Sequence, residues 1–401
     1  MKKVLYSTTA LAAAGLLALT PADVQAAEKI KLGLGGYFIW GGGVGDSDST
    51  MHEDLGAINM WAESEVYVRG NTTLDNGVRV DAIIQFETDQ VNNGTQIDES
   101  YLKVGNLKQW GEFRLGSTKM AQFVVGRTSA PGVYVISNPT NFGQANLFVP
   151  NTTQLGGEAN GATPATFFSH EGAADRMLAM YVTPNLNGFQ AAVSYTPAHA
   201  NSDRVPQTDG EDASDSENVS FGAGYKGKFG DASVGLTGGW TTVSGNKAAG
   251  KEYTTMQFGG KVGFAGFSVG AQWAEREDDG EMGYKADVEG WQAGVGYKTG
   301  PWQVALTWLN TTKDVNPMLA GEVENNQYTL GVGYSLGAGV SIGASIFQLD
   351  FQDDMIAGQA AVEEVAAVPG NPGRAAKAAV PPKMGNDNEG WGMLAGIRVN
   401  F

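Results

Sequence analysis

VYVRGNTTLDNGVRVDAIIQFETD, residues 66–89, carries two faces in strict alternation. Val66 and Val68 fall on one side, and Glu65, Tyr67 and Arg69 on the other. After Asp75, Asn76 and Gly77, Val80, Ala82, Ile84 and Phe86 alternate with Arg79, Asp81, Gln85 and Glu87. Successive side chains of a strand point to opposite faces of the sheet, so period two means a β-hairpin with one apolar face and one charged face. Asp, Asn and Gly in a row supply the turn, because they tolerate the backbone angles that a tight reversal needs.

The same syntax fills the rest of the chain. Phe189, Ala191, Val193 and Tyr195 form an apolar face, as do Trp291, Ala293, Val295 and Tyr297, and Trp391, Met393, Ala395, Ile397, Val399 and Phe401 at the end. Sixteen strands can be read, among them 57–69, 284–298, 325–335 and 389–401. An even count puts both ends of the chain on one side, as a closed antiparallel barrel requires. The connections alternate between short ones, such as 107–110 and 299–300, and long ones, such as 118–174 and 352–388. Aromatic residues gather at strand ends (Tyr225, Trp240, Tyr297, Trp302, Trp308, Tyr334, Trp391), the pattern of interfacial girdles. A sandwich core would need tightly interdigitated bulk on its inner faces; here the second face holds Gly, Ser, Thr, Gln and charge. The expectation is an all-β chain: a 16-stranded antiparallel transmembrane barrel with short periplasmic turns and long external loops.

Composition narrows the alternatives. Of 401 residues, 57 are Gly and none is Cys, so thiolate metal sites and a Cys nucleophile are excluded. Lys2 and Lys3, the apolar run VLYSTTALAAAGLLAL and the Val24–Gln25–Ala26 site have the form of a signal peptide over 1–26, leaving 27–401 as one barrel domain. The formal net charge of -17 argues against nucleic acid as a partner. No later stretch is long and apolar enough for a membrane helix. His52, His170 and His199 lack metal-site spacing, and neither GxSxG nor a phosphate-loop motif occurs, so an enzyme is not expected and no cofactor is implied. The acidic stretches EREDDGE (275–281) and DGEDASDSE (209–217) read as solvated external rims, with loop-bound Ca²⁺ as the alternative.

With the leader, the hairpin VYVRG…LDNGVRVDAIIQFETD, the stretch ESYLKVGNLKQWGEFRLGSTKM before a long third loop, YVTPNLNGFQAAVSYTP and the terminal Phe401, the chain resembles the general diffusion porins of Gram-negative outer membranes, the alphaproteobacterial type above all. That resemblance implies a homotrimer in outer-membrane lipid and lipopolysaccharide, each subunit with its own water-filled pore. It also implies an inward-folded third loop at 118–174 and a terminal Phe401 read by the outer-membrane assembly machinery. The family commonly sets an acidic third loop against a basic wall. This chain departs from that, with no Asp or Glu from Lys119 to Gly157.

On the face assigned to the pore stand Arg69, Arg79, Asp81, Lys103, Arg114 and Arg176, beside Glu65, Glu87, Glu99 and Glu112. They would set a transverse field across a narrow zone, or serve only as solvated lumen ion pairs. The function expected is passive diffusion of small hydrophilic solutes and ions, with net acidity favouring cations modestly. The alternatives are a substrate-specific channel, and an occluded barrel with a structural or adhesive role.

Overall fold

The computed structural model describes residues 29–47, 58–88, 97–133, 176–197, 217–244, 252–278, 287–314, 322–353 and 388–401. Its first eight strands are β1 (Lys31–Ser47), β2 (Asn59–Thr73), β3 (Arg79–Glu87), β4 (Ile97–Asn106), β5 (Gly111–Thr118), β6 (Arg176–Val182), β7 (Phe189–Thr196) and β8 (Glu217–Phe229). The second eight are β9 (Ala232–Ser244), β10 (Tyr253–Phe264), β11 (Phe267–Asp278), β12 (Val288–Thr299), β13 (Trp302–Asp314), β14 (Glu322–Gly337), β15 (Val340–Asp353) and β16 (Asn388–Asn400). A single helical turn, α1 (Ala121–Val124), follows β5. Each strand pairs antiparallel with its neighbours in sequence, and β1 pairs with β16 from Tyr37↔Asn400 to Ser47↔Gly390, which closes the barrel. Closure leaves no strand edge, so every ladder position finds a partner.

The outward face is apolar and bare. Leu32 is 82% exposed, Val269 59% and Leu236 55%, a density of unburied hydrophobic surface that only a hydrocarbon surround makes tolerable. Among the described residues no helix is long and apolar enough to cross a membrane; the strands do the spanning. Rings border the apolar band. At the turn end Phe189 packs on Tyr225 (centroids 4.6 Å apart), Phe267 on Tyr297 (4.4 Å) and Trp302 on Tyr334 (4.6 Å). At the loop end Trp273 lies 6.0 Å from Phe258 and 6.3 Å from Trp291.

All sixteen expected strands are present, with shifts at their ends. β2 runs to Thr73 rather than ending at residue 69, because Gly70 to Thr73 pair with Ala82 to Arg79. The turn is therefore tight: Gly77 N–H donates to Leu74 O at 2.9 Å, and Gly77 takes φ +77°. β14 begins at Glu322, three residues earlier than expected. The signal-peptide segment 1–26 and most of the long connections, including 134–175 and 354–387, lie outside the described residues.

The chain end is pinned as a strand. Phe401 N–H donates to Gly36 O at 3.1 Å and Gly36 N–H donates to Phe401 O at 2.9 Å. The Phe401 ring lies over Gly36, where a Cβ would come within 3.0 Å of it and within 2.2 Å of Glu65 O. Only glycine fits that seam.

Candidate functional site

After β5 the chain turns into the barrel. Lys119 Nζ sits 3.0 Å from Glu99 Oε1, while Glu99 Oε2 accepts from Thr118 Oγ1 at 2.6 Å. Met120 and Ala121 then pack on Leu178, Met180 and Val182 of β6 and Ala192 of β7. These β6 residues face inward, yet they are nearly fully buried, because α1 covers them. The lumen wall here is apolar.

Beyond α1 the wall turns polar and grips the loop. Ala121 N–H donates to Ser194 Oγ of β7 at 3.0 Å, and Gln122 N–H to Ser220 Oγ of β8 at 2.9 Å. The Gln122 side-chain oxygen accepts from Thr241 of β9 and from Thr255 of β10, the latter at 2.9 Å. Gln257 of β10 donates from Nε2 to Gln122 O at 3.0 Å and to Gly126 O at 3.1 Å. A file of amides continues through Gln272 and Gln292 (3.2 Å each), and Gln292 Oε1 accepts from Ala130 N–H at 3.3 Å. Gln303 of β13 reaches Gly132 O at 2.7 Å. Burial in a low-dielectric wall makes every one of these groups costly to leave unpaired.

Close approach requires inward-facing positions without side chains. A Cβ on Gly222 would stand 2.3 Å from Ala121 O, and one on Gly294 2.7 Å from Pro131 O. The described loop residues thus lie along β6 to β14, and toward β1 to β5 they reach Glu99 of β4 through Lys119.

The wall of β2 to β5 holds most of the residues singled out from sequence. Asp81, Lys103 and Arg114 occupy one cross-strand row on β3, β4 and β5. Arg79 grips Asp81 with two bonds, at 2.7 and 2.8 Å, and Arg114 Nε meets Glu112 Oε1 at 2.9 Å. Arg69 lies on the same face of β2, its guanidinium 5.8 Å from the Tyr67 ring centre. Arg176 opens β6 opposite Thr118; its side chain lies outside the described residues. The sequence reading missed the loop seat (Ser194, Ser220, Thr241, Thr255, Gln257) and the lysines below it on β8, β10 and β12. For two of the lysines the sequence holds a repeated GYK, at 224–226 and 296–298, which also occurs at 283–285 outside the described residues; Lys261 stands in GGK.

Acids also sort by face. Glu217, Glu275, Glu289, Glu324, Asp350 and Glu389 alternate onto the outward face near the loop end. Trp273 and Trp291 both donate from Nε1 to Glu289, at 2.8 and 2.9 Å, and Tyr195 donates to Glu217 at 3.3 Å. Inside, the Tyr37 hydroxyl lies 2.7 Å from Glu63 and 2.9 Å from Glu65, its one proton shared between them, and carboxylate oxygens of Glu65, Glu87 and Asp98 lie within 4.8 Å of one another. Most of the two acidic stretches considered for Ca²⁺ falls outside the described residues.

A family model described as Gram-negative porin matches residues 7–354. No curated protein matches the chain. Among solved structures, the anion-selective porin from Comamonas acidovorans is 16% identical with a TM-score of 0.57, the match covering 93% of this chain and 100% of that one. The in-vitro folded trimer form of OmpT from Vibrio cholerae is 14% identical with a TM-score of 0.55, covering 94% and 100%. The outer membrane channel DcaP of Acinetobacter baumannii is 12% identical with a TM-score of 0.56, covering 93% and 97%. The three structures speak for the shared barrel; the family match, spanning most of the length, settles the assignment. The chain belongs to the Gram-negative porin family of outer-membrane barrels.

Proposed function

We propose that the protein is a passive pore through which small hydrophilic solutes and ions diffuse down their gradients. The observation that carries this reading is the loop seat. The described part of the third loop, tied along one inner wall, narrows the lumen from that side, and the facing wall bears charged side chains (Arg69, Arg79, Lys103) that need water around them. No bond-making chemistry, energy coupling or cofactor enters. The test is single-channel recording of the refolded protein in planar bilayers. Large steps that grow with salt concentration, nearly ohmic in 1 M salt, support a diffusion pore, and saturation by one solute class would favour a substrate-specific channel. Absence of conductance from a folded barrel would favour an occluded, structural or adhesive barrel instead.

The working unit is proposed to be a homotrimer, with β2 to β5 as the contact face. Within these four strands no Trp or Tyr faces outward, although both are frequent on β6 to β16; Trp110, in the β4–β5 turn, lies 6.3 Å from Phe113. Hydroxyls also face outward there: Ser64 Oγ and Thr88 Oγ1 are 2.6 Å apart. Hydroxyls and missing girdle rings suit contact with protein better than contact with lipid. The remaining circumference would meet outer-membrane lipids and lipopolysaccharide, and the exposed Phe401 ring would be available to the assembly machinery. Chemical cross-linking in detergent checks the trimer, a monomer being the result against it.

A further inference from the structure

We infer that the pore prefers anions, the opposite of what the net charge suggests, and that the selecting element is a basic collar on the turn-end side of the loop seat. The inference rests on the reading of the protein as an open pore. Its ligands are small inorganic or organic anions in transit.

Three strands carry the collar in the same way. On β8, Gly224 touches the loop, a Cβ there standing 3.0 Å from Val125 O, and Lys226 follows two positions later. On β10, Gly259 lies against Thr128 (3.1 Å) and Lys261 follows. On β12, Gly296 lies against Pro131 (3.3 Å) and Lys298 follows. Two residues return a strand to the same face about 7 Å further along. Each lysine therefore emerges into the lumen one pleat beyond the loop, toward the turn end. Lys226 and Lys261 share one row through Gly235, which places them two strands apart, about 9.5 Å. That spacing is comparable with the screening length of about 8–10 Å in 0.10–0.15 M salt, so their potentials overlap.

Among the described residues, Lys226, Lys228, Lys261 and Lys298 make no ion pair. Arg398 bonds Asn400 Oδ1 at 3.0 Å and stacks on Tyr37 at 4.6 Å, with no carboxylate of its own. Across the bore stand Arg69 and Lys103, and the acids at that level, Asp81 and Glu112, are already bound by Arg79 and Arg114. The loop adds Arg127, Lys119 being held by Glu99, and the absence of Asp or Glu from 119 to 157 gives it no acidic lining from that stretch. Among the described residues, Glu217, Glu275, Glu289, Glu324, Asp350 and Glu389 sit on the outward face near the loop end, and Glu63, Glu65, Glu87 and Asp98 on the inner wall toward the loop end. A permeating ion responds to the charges within a screening length of its path, not to the total.

The experiment is the reversal potential of the full-length folded protein in a planar bilayer under a tenfold KCl gradient, since K⁺ and Cl⁻ diffuse almost equally fast in water. A mean lumen potential of about kT/e would favour Cl⁻ about sevenfold over K⁺. The combined variant Lys226→Gln, Lys261→Gln, Lys298→Gln is expected to lower that ratio at least about twofold while leaving open channels. The same three lysines changed to Glu should move the reversal potential toward K⁺. Lys108→Gln, in the turn between β4 and β5, should change nothing. A reversal potential at zero or on the cation side in the parent protein overturns the inference and leaves the pore reading intact. A parent ratio that the lysine variants do not alter assigns selectivity elsewhere and overturns the collar. No conductance at all overturns the pore reading, and this inference with it.

Discussion

Replacing Gln122 by Leu should loosen the loop without emptying its place. Leu has nearly the same volume, so packing against Gly239, where a Cβ would stand 2.5 Å from Gln122 Cγ, is largely kept. What disappears is the acceptor shared by Thr241 and Thr255. Thr241 retains Ser220 Oγ at 2.7 Å as a partner, whereas the Thr255 hydroxyl, at 2% exposure, is left with none. An orphaned buried hydroxyl costs about 1–3 kcal/mol. Since 1.4 kcal/mol is a factor of ten, the unseated loop should become about 5–150 times more populated. Single-channel recordings would register this as more frequent excursions to a higher conductance level and greater open-channel noise. Adding Thr255→Val removes the orphan, so the double variant should recover most of the quiet parent behaviour, as expected when both partners become apolar. Parent-like noise in Gln122→Leu, or a double variant no quieter than the single, would refute the hydrogen-bonded seat.

Deleting Phe401 removes the two backbone bonds to Gly36 and should lower barrel stability in detergent by about 1–3 kcal/mol, read as a lower urea midpoint. Phe401→Ala keeps those bonds and should cost less; equal losses would mean that the ring alone matters. Ala338, at φ +49° between two glycines, is held in the left-handed region. Its replacement by Gly relieves about 1–2 kcal/mol of backbone strain and forfeits about 0.4–1 kcal/mol through the more flexible unfolded chain. A net gain of about 0.5 kcal/mol is expected, and a lower urea midpoint would contradict it.

The strands were legible because a membrane barrel imposes one rule on every residue of the wall: apolar outside, otherwise inside. In 275–278 the alternation alone separates Glu275 and Glu277, outward, from Arg276 and Asp278, inward and paired at 3.4 Å. The rule fails where the inside is not water. β6 is apolar on both faces, since Leu178, Met180 and Val182 are covered by α1, and no local pattern announces that cover. The inward Leu309, Phe347, Leu349 and Phe351 form a second buried apolar cluster on the later strands, equally silent in sequence. The loop seat was hidden for another reason. Gln122 meets Thr255 and Gln257 across more than 130 positions of chain, so each partner looks like an ordinary lumen residue until the strands are in register. Net charge sums over both faces of the wall, whereas permeation responds to one.

The lumen charges are also arranged in series, and this has an electrical consequence. Toward the loop end, Glu63, Glu65, Glu87 and Asp98 line β2 to β4; toward the turn end lies the basic collar. Glu65 is four residues from Arg69 on the same strand, about 13 Å, so the two zones are separated by roughly the screening length at 0.1 M salt. A voltage that drives cations in through the acidic end also drives anions in through the basic end. Both ions then enter through the zone that attracts them, and the pore fills with salt. The reverse voltage draws both away and depletes it. Individual channels in 0.1 M KCl should therefore pass unequal currents at equal and opposite voltages, differing by about 1.5-fold or more. In 1 M KCl, where the screening length falls to about 3 Å, the curves should become symmetric. Neutralising Lys226, Lys261 and Lys298 should flatten the asymmetry at low salt, because one of the two zones is then gone. Symmetric currents at 0.1 M, or an asymmetry that survives 1 M salt, would mean that loop motion or pore shape governs the current rather than the two charged zones.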